Sequence, residues 1–276
     1  MKKALIGYQV YSARDEAAKD LKSVLSQLKE LGYDGVEFAG FYGHTAEEVK
    51  EMLDATGLVA FSDHVPYAAI QKDMFGVIRD HLTIGCKYIA IPFLGEEDRP
   101  GNPGFATVIR TINKFGALCK AAGIQLLYHN HDFEFKMMSG MYGLDFLYEA
   151  VEADILQTEL DMCWVNYSGV NPVEYVRKYA GRTPVVHLKD FVGSRGGAQP
   201  YALINEDGSD DGKNAETTAF EFRPVGHGCQ NFPPIIEAAQ EGGAEIFVVE
   251  QDQWYNRTPL EAAKMSIDYL KSIGLK

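Results

Sequence analysis

The sequence predicts a single α/β domain over residues 1–276, a closed (β/α)8 TIM barrel with a long insertion between its seventh and eighth strands. Three observations carry this expectation. Eight short runs rich in β-branched and aromatic residues recur along the chain, segments of helical period separate them, and no GxGxxG or Walker-type loop opens a helix. An all-parallel sheet must be covered on both faces, and eight β-α units in a chain of this length close into a barrel; a doubly wound open sheet is the alternative.

Taken in order, the strand candidates are 4–9 (ALIGYQ), 35–38 (GVEF), 58–64 (LVAFSDH) and 88–93 (YIAIPF). The second half adds 124–129 (IQLLYH), 156–161 (LQTELD), 184–188 (PVVHL) and 246–250 (IFVVE). Between them, Leu21, Val24, Leu25, Leu28 and Leu31 repeat at three and four to give the first helix an apolar stripe, which Gly32 ends as a C-cap. Thr45 with Glu48, and Thr258-Pro259 with Glu261, have the spacing of capping boxes and mark two helix starts. Phe105, Val108, Ile109, Ile112 and Phe115 form another stripe, and Ala263, Ile267 and Leu270 belong to the last helix. One segment, 191–231, breaks this rhythm with its Gly, Asp, Asn and Ser. It is expected to be an insertion that lies as a loop or lid at the catalytic end of the barrel.

Charge and composition exclude several classes. With 26 Lys and Arg against 39 Asp and Glu, the net charge of -13 repels polyanions, so neither nucleic acid nor an anionic membrane surface is an expected partner. No stretch approaches the roughly 18 apolar residues of a membrane span. The first residues read as a core strand rather than a signal peptide, because the apolar run soon meets Gln9, Tyr11 and Arg14. Cys86, Cys119, Cys163 and Cys229 are widely spaced without a CxxC pair, so reduced thiols and a cytoplasmic protein are expected. A homo-oligomer is compatible with the sequence, which does not specify one.

In a barrel of this type, chemistry sits where the strands finish, and alternate residues point inward. Here those ends are polar. They carry Gln9, Glu37, Asp63-His64, His129 and His131, Glu159 and Asp161, His187 and Lys189, then Glu250 and Asp252. Taken singly, such a residue is ordinarily a cap, a salt-bridge partner or a solvated loop residue. Asp161, His187 and Glu250 in register on successive strands instead suggest a metal site, with His129 or His131 as a fourth ligand. Carboxylates mixed with imidazoles suit Mn²⁺, Co²⁺, Zn²⁺ or Fe²⁺, and Mg²⁺ less well. Trp164, Trp254, Phe93 and Tyr11 are candidate apolar walls for a sugar face. His44 and His81 carry no expected role, and His227 reads as a turn residue.

These residues resemble a family. The blocks YHNHDFEF (128–135), LDMCWV (160–165), HLKD (187–190), VVEQD (248–252) and PLEAAKMSIDYLKSIG (259–274), with GYDGVEFAG (32–40), are similar to those of the sugar phosphate isomerase/epimerase superfamily with the xylose-isomerase-like barrel. The resemblance spans nearly the whole chain. It implies a divalent metal held by His129, Asp161, His187 and Glu250, with Glu37, His64, His131 and Lys189 as substrate or proton-transfer residues. Gln9, Glu134 and Trp164 join the expected substrate contacts. Epimerases of this type usually carry Glu where His129 stands, which weakens a symmetric two-glutamate mechanism.

The chemistry so implied is metal-assisted proton transfer next to a carbonyl in a carbohydrate or cyclitol, through an enediolate, with His131, Glu37 or Glu250 as the base. Reprotonation gives isomerisation or epimerisation. Expulsion of a β leaving group from the same enolate makes the protein a dehydratase or lyase on keto-sugars or keto-inositols. A sugar isomerase or epimerase is the leading expectation, and the histidine on the fifth strand raises the dehydratase or lyase as the alternative close behind it, since inosose dehydratases of the superfamily are similarly histidine-rich there.

Overall fold

The computed structural model describes residues 4–193 and 220–275. Eight parallel strands close into the expected barrel. They are β1 (Leu5–Gln9), β2 (Gly35–Phe38), β3 (Val59–His64), β4 (Tyr88–Ile91), β5 (Gln125–His129), β8 (Leu156–Asp161), β9 (Val185–Leu188) and β12 (Ile246–Val249). Among the described residues, two small antiparallel ribbons stand outside it. One is β6 (Met137–Met138) with β7 (Met141–Tyr142), and the other is β10 (Asp190–Val192) with β11 (Glu221–Arg223).

The order around the barrel is β1-β12-β9-β8-β5-β4-β3-β2, so each barrel strand lies beside its sequence neighbours and the last closes on the first. The closure pairs Leu5 with Ile246 and Tyr8 with Val249. Phe61, Tyr88, Leu127, Val185, Ile246 and Val248 fill the lower barrel as an apolar plug. Phe61 leaves no room opposite Gly35, where an added Cβ would lie 2.3 Å from the Val59 carbonyl oxygen and 2.7 Å from the Phe61 ring. Polar chemistry is therefore confined to the upper, C-terminal layer.

Helices cover the outside. The first, α1 (Arg14–Leu31), ends on Gly32 at φ 101° and buries Leu21, Val24, Leu25 and Leu28. It breaks at Asp20, whose Oδ1 accepts from the Ser23 N–H at 2.9 Å and so caps the second segment. Both expected capping boxes form, at the starts of α2 (Ala46–Thr56) and of the last helix, α10 (Pro259–Ser272). Between them lie α3 (Tyr67–Lys72), α4 (Met74–Ile84), α5 (Phe105–Ala121), α6 (Gly143–Ala150), α7 (Met162–Tyr167), α8 (Pro172–Lys178) and α9 (Phe232–Glu241).

The insertion is shorter at both ends than the 191–231 expected from composition. Asp190 holds its stem together: its carboxylate accepts from the backbone N–H groups of Phe191, Gly226, Gly228 and Gln230 at 2.8–3.1 Å. Phe191, Phe220 and Phe222 pack with Trp164 and Tyr167 into a separate aromatic cluster. Aromatic residues thus draw the two ends into a ribbon, where glycine and aspartate counts suggested a loop. The remainder of the expected lid, residues 194–219, lies outside the described residues.

Candidate metal centre and its cleft

Asp161 ends β8 and begins α7, and its two oxygens have different partners. Oδ1 caps the helix, accepting from the Cys163 and Trp164 N–H groups at 2.7 and 3.3 Å. Oδ2 is left pointing at the barrel mouth, where it is buried without a hydrogen-bond partner among the described residues. His187 stands beside Asp161 in strict register on β9. Glu250 follows β12 directly, placed by its N–H bond to the Leu188 carbonyl at 3.2 Å.

One ligand atom from each of His129, Asp161, His187 and Glu250 lies within 4.8 Å of all the others. His129 Nε2 is 3.4 Å from Asp161 Oδ2 and 3.9 Å from Glu250 Oε2, while His187 Nδ1 is 2.9 Å from Glu250 Oε2. The second nitrogen of His187 faces Glu37 Oε1 at 2.6 Å, a carboxylate behind a candidate ligand imidazole. His64, His129, Glu159 and His187 form an overlapping set. In that set, however, His64 and Glu159 already satisfy each other at 2.7 Å. His187 and Glu250 pair likewise in the first set at 2.9 Å, but its two carboxylates offset a divalent charge, and its His129 Nε2 and Asp161 Oδ2 are both buried without a hydrogen-bond partner among the described residues, which fits a divalent first-row cation.

Above these residues opens a cleft of about 510 Å³. His64, His129, His131, Lys189, Glu250 and Asp252 line its floor, with Tyr11 and Phe93 on its walls and Glu96, Glu97 and Asp98 at its rim. His64 and His131 flank His129, with ring centroids 4.8 and 5.2 Å from it. His131 stacks between Phe133 and Trp164, at 5.6 and 5.4 Å, and meets the Phe93 ring edge-on. Its register is set by Asn130, which points away and bonds the Asp161 backbone through both side-chain atoms.

The electrostatics of the two flanking histidines diverge. Burial pulls His64 down, but Glu37 and Glu159 beside it raise it to about 10. Burial, with His129 and Lys189 nearby, holds His131 well below its usual range. Burial by itself would raise Glu37, but the His64 and His187 rings outweigh it and hold the carboxyl well below the ordinary carboxylate value.

Several expected site residues stand behind the cleft rather than on it. Gln9 donates to Glu37 Oε1 at 2.8 Å, and Ser62 donates to the other oxygen. Both Gln9 and Glu37 are fully buried. Glu134 accepts from the Tyr128 hydroxyl at 2.6 Å and from the His131 N–H at 2.8 Å, facing away from the cleft. Trp164 is buried and backs His131. Trp254 packs against Arg14, and His227 is an exposed turn residue.

Two strand-end residues given no individual role in the sequence reading, Asp252 and Glu159, gain one in the fold, as does His81. Asp252 reaches the floor beside Lys189, a position that its spacing of two from Glu250 could have signalled. Glu159 joins the buried ring of histidines. His81, on α4, binds Asp63 Oδ2 at 2.9 Å and the Val77 carbonyl at 2.6 Å. All four cysteines are free thiols, and no helix among the described residues is long and apolar enough to cross a membrane.

A closed parallel barrel with histidine and carboxylate donors gathered at its C-terminal mouth, where they could bind a metal ion, defines the class to which the chain is compared. The family model described as xylose isomerase-like TIM barrel matches residues 25–273, and the chain belongs to that family. An inosose dehydratase from Clostridium beijerinckii is 25% identical over 282 residues, covering 91% of this chain and 88% of the relative. A sugar phosphate isomerase/epimerase from Parabacteroides distasonis superposes with a TM-score of 0.79 at 23% identity, covering 100% of this chain and 96% of the other. The probable 3-DHS dehydratase of petrobactin synthesis from Bacillus anthracis gives 0.71 at 15% identity, covering 97% and 98%. These two structural likenesses show the fold alone.

Proposed function

We propose that this protein is a metal-dependent carbon–oxygen lyase that removes water from a neutral keto-cyclitol or keto-sugar through an enolate. The observation that carries the proposal is the pair of cleft-lining histidines next to His129, one held by carboxylates and the other stacked against aromatic rings. Elimination needs a base for carbon and an acid for the departing oxygen, and this pair offers both. The relatives named inosose dehydratase support the lyase outcome over isomerisation or epimerisation, which would share the first step.

A divalent ion held by His129, Asp161, His187 and Glu250 would supply a Lewis acid for the negative charge that develops on the carbonyl oxygen. His131, positioned by its two ring neighbours, accepts the proton from the carbon next to the carbonyl. The C–H electron pair then forms the carbon–carbon double bond as the β C–O bond breaks. The departing hydroxyl takes a proton from His64 and leaves as water, and solvent returns the His131 proton to His64. Glu37, behind the floor, orients His64 and His187 rather than touching substrate, with Gln9 and Ser62 holding it in turn.

Lys189 is the only Lys or Arg among the described residues lining the cleft, and it is already ion-paired; the rim carries Glu96, Glu97 and Asp98. Such a surface supports an unphosphorylated substrate.

The test is incubation of metal-loaded protein with keto-inositols and ketoses in deuterated water. Loss of one water by mass, with the absorbance of a conjugated carbonyl, is expected, and His131→Gln should slow it about 10²–10⁴-fold. A recovered isomer carrying deuterium with no dehydration would establish the isomerase instead. No exchange with any substrate would reject both reactions.

A further inference from the structure

Lys189 follows β9 and is buried, with Nζ 5.3 Å above the Trp164 ring and 5.5 Å from that of Phe222. Its ammonium is 2.9 Å from Glu250 Oε2 and 3.4 Å from Asp161 Oδ2. These are the same two oxygens that face His129 Nε2 in the candidate metal set. A divalent ion and an ammonium cannot share them without like-charge repulsion at close range in a poorly solvated site. A third carboxylate, Asp252, lies outside the ligand set with Oδ2 3.1 Å from Nζ, which gives the ammonium an anion to keep when the other two are taken.

We propose that Lys189 is a built-in stand-in for the metal. It holds the Asp161 and Glu250 oxygens in register in the metal-free protein and withdraws onto Asp252 when the ion binds. Lys189 and Asp252 together then set the affinity of the site without ligating the ion. The proposal rests on the metal-site reading above. It makes Lys189 a positioning residue whose effect is measurable without substrate.

The two side chains should act in opposite directions. Lys189→Met removes the competitor, so Co²⁺ titrated calorimetrically into the chelator-treated protein should bind at least about tenfold tighter than to the native chain, while the metal-free melting temperature falls. Asp252→Asn removes the retreat and should weaken Co²⁺ binding. In the double variant the Asp252→Asn effect should vanish, because it acts through Lys189. Co²⁺ binding no tighter in Lys189→Met, or an Asp252→Asn loss that persists undiminished in the double variant, overturns the proposal. Should Lys189→Met not fold, the single variant Asp252→Asn decides, and unchanged Co²⁺ affinity refutes the idea. Failure of the native protein and every variant to bind Co²⁺, Mn²⁺ or Zn²⁺ would remove the metal-site reading along with it, an outcome distinct from equal affinities.

Discussion

Asp161 separates two demands that a single carboxylate usually serves one at a time. Its Oδ1 caps α7 while Oδ2 faces the candidate ligands. Asparagine caps a helix about as well as aspartate but is a poor ligand for a hard or borderline cation. Asp161→Asn should therefore lower metal affinity by at least about 10–100-fold while changing metal-free stability by roughly 1 kcal/mol or less, measured by calorimetric titration and urea unfolding. Asp161→Ala should lose both, with an added cost of about 0.5–2 kcal/mol for the cap.

Glu134 offers a pH signature of its own. Burial raises its carboxyl from 4.5 to about 8, against the opposing bonds from Tyr128 and His131. Between those values the folded state keeps a proton that the unfolded chain releases, so this residue's contribution to stability declines as pH rises. The slope approaches about 1.4 kcal/mol per pH unit inside the window and vanishes below it. Unfolding of Glu134→Gln, followed from pH 5 to 8, should lack this decline; parallel curves for the two proteins would contradict the assignment.

Among the elements, β3 and α4 are joined by a buried charge pair. Both ring nitrogens of His81 face acceptors, the Val77 carbonyl and Asp63, an arrangement that favours the doubly protonated ring; burial opposes this, and Asp63 prevails to raise its pKa. The other Asp63 oxygen accepts from the Gly40 N–H at 3.0 Å, tying the loop after β2, which borders the cleft, to the same pair. His81→Leu leaves Asp63 buried and unpaired and should destabilise the protein by about 3–5 kcal/mol in denaturant unfolding. No local pattern signals this pair, because His81 reads as one more residue of a helix.

The same elements show where sequence reading succeeds. Apolar runs and their Gly and Pro borders placed all eight barrel strands within about two residues of their observed limits. Capping residues located α2 and α10 because a cap is a local bond between residues three apart. Beyond a strand's end the period of two no longer applies. After His129 the chain turns through a short 3-10 segment, Phe133–Phe135, and Glu134 swings away from the cleft although it lies within the same polar motif.

For the whole molecule, the candidate metal site converges from four strands that are remote in sequence but adjacent in the barrel. Metal binding at the proposed site would thus be coupled to the closed fold, since the unfolded chain has no preformed site. Free ion at roughly 100 times its dissociation constant should stabilise the protein by about 2.7 kcal/mol, seen as a melting temperature that falls with chelator and recovers on adding the metal. No change on either treatment would argue against an ion at this site.

The sequence by itself determined the barrel, its helical cover and the polar character of the strand ends, because hydrophobic period, caps and turns are encoded by residues close together in the chain. Only the tertiary structure decided which of those polar residues share one cavity. Gln9 and Glu37 stand behind the floor, Lys189 sits on the oxygens that face the candidate ion, and His64 and His131 flank His129. Those relations depend on barrel closure and on the rotation of each chain segment past its strand, which bring together atoms that local sequence leaves unrelated.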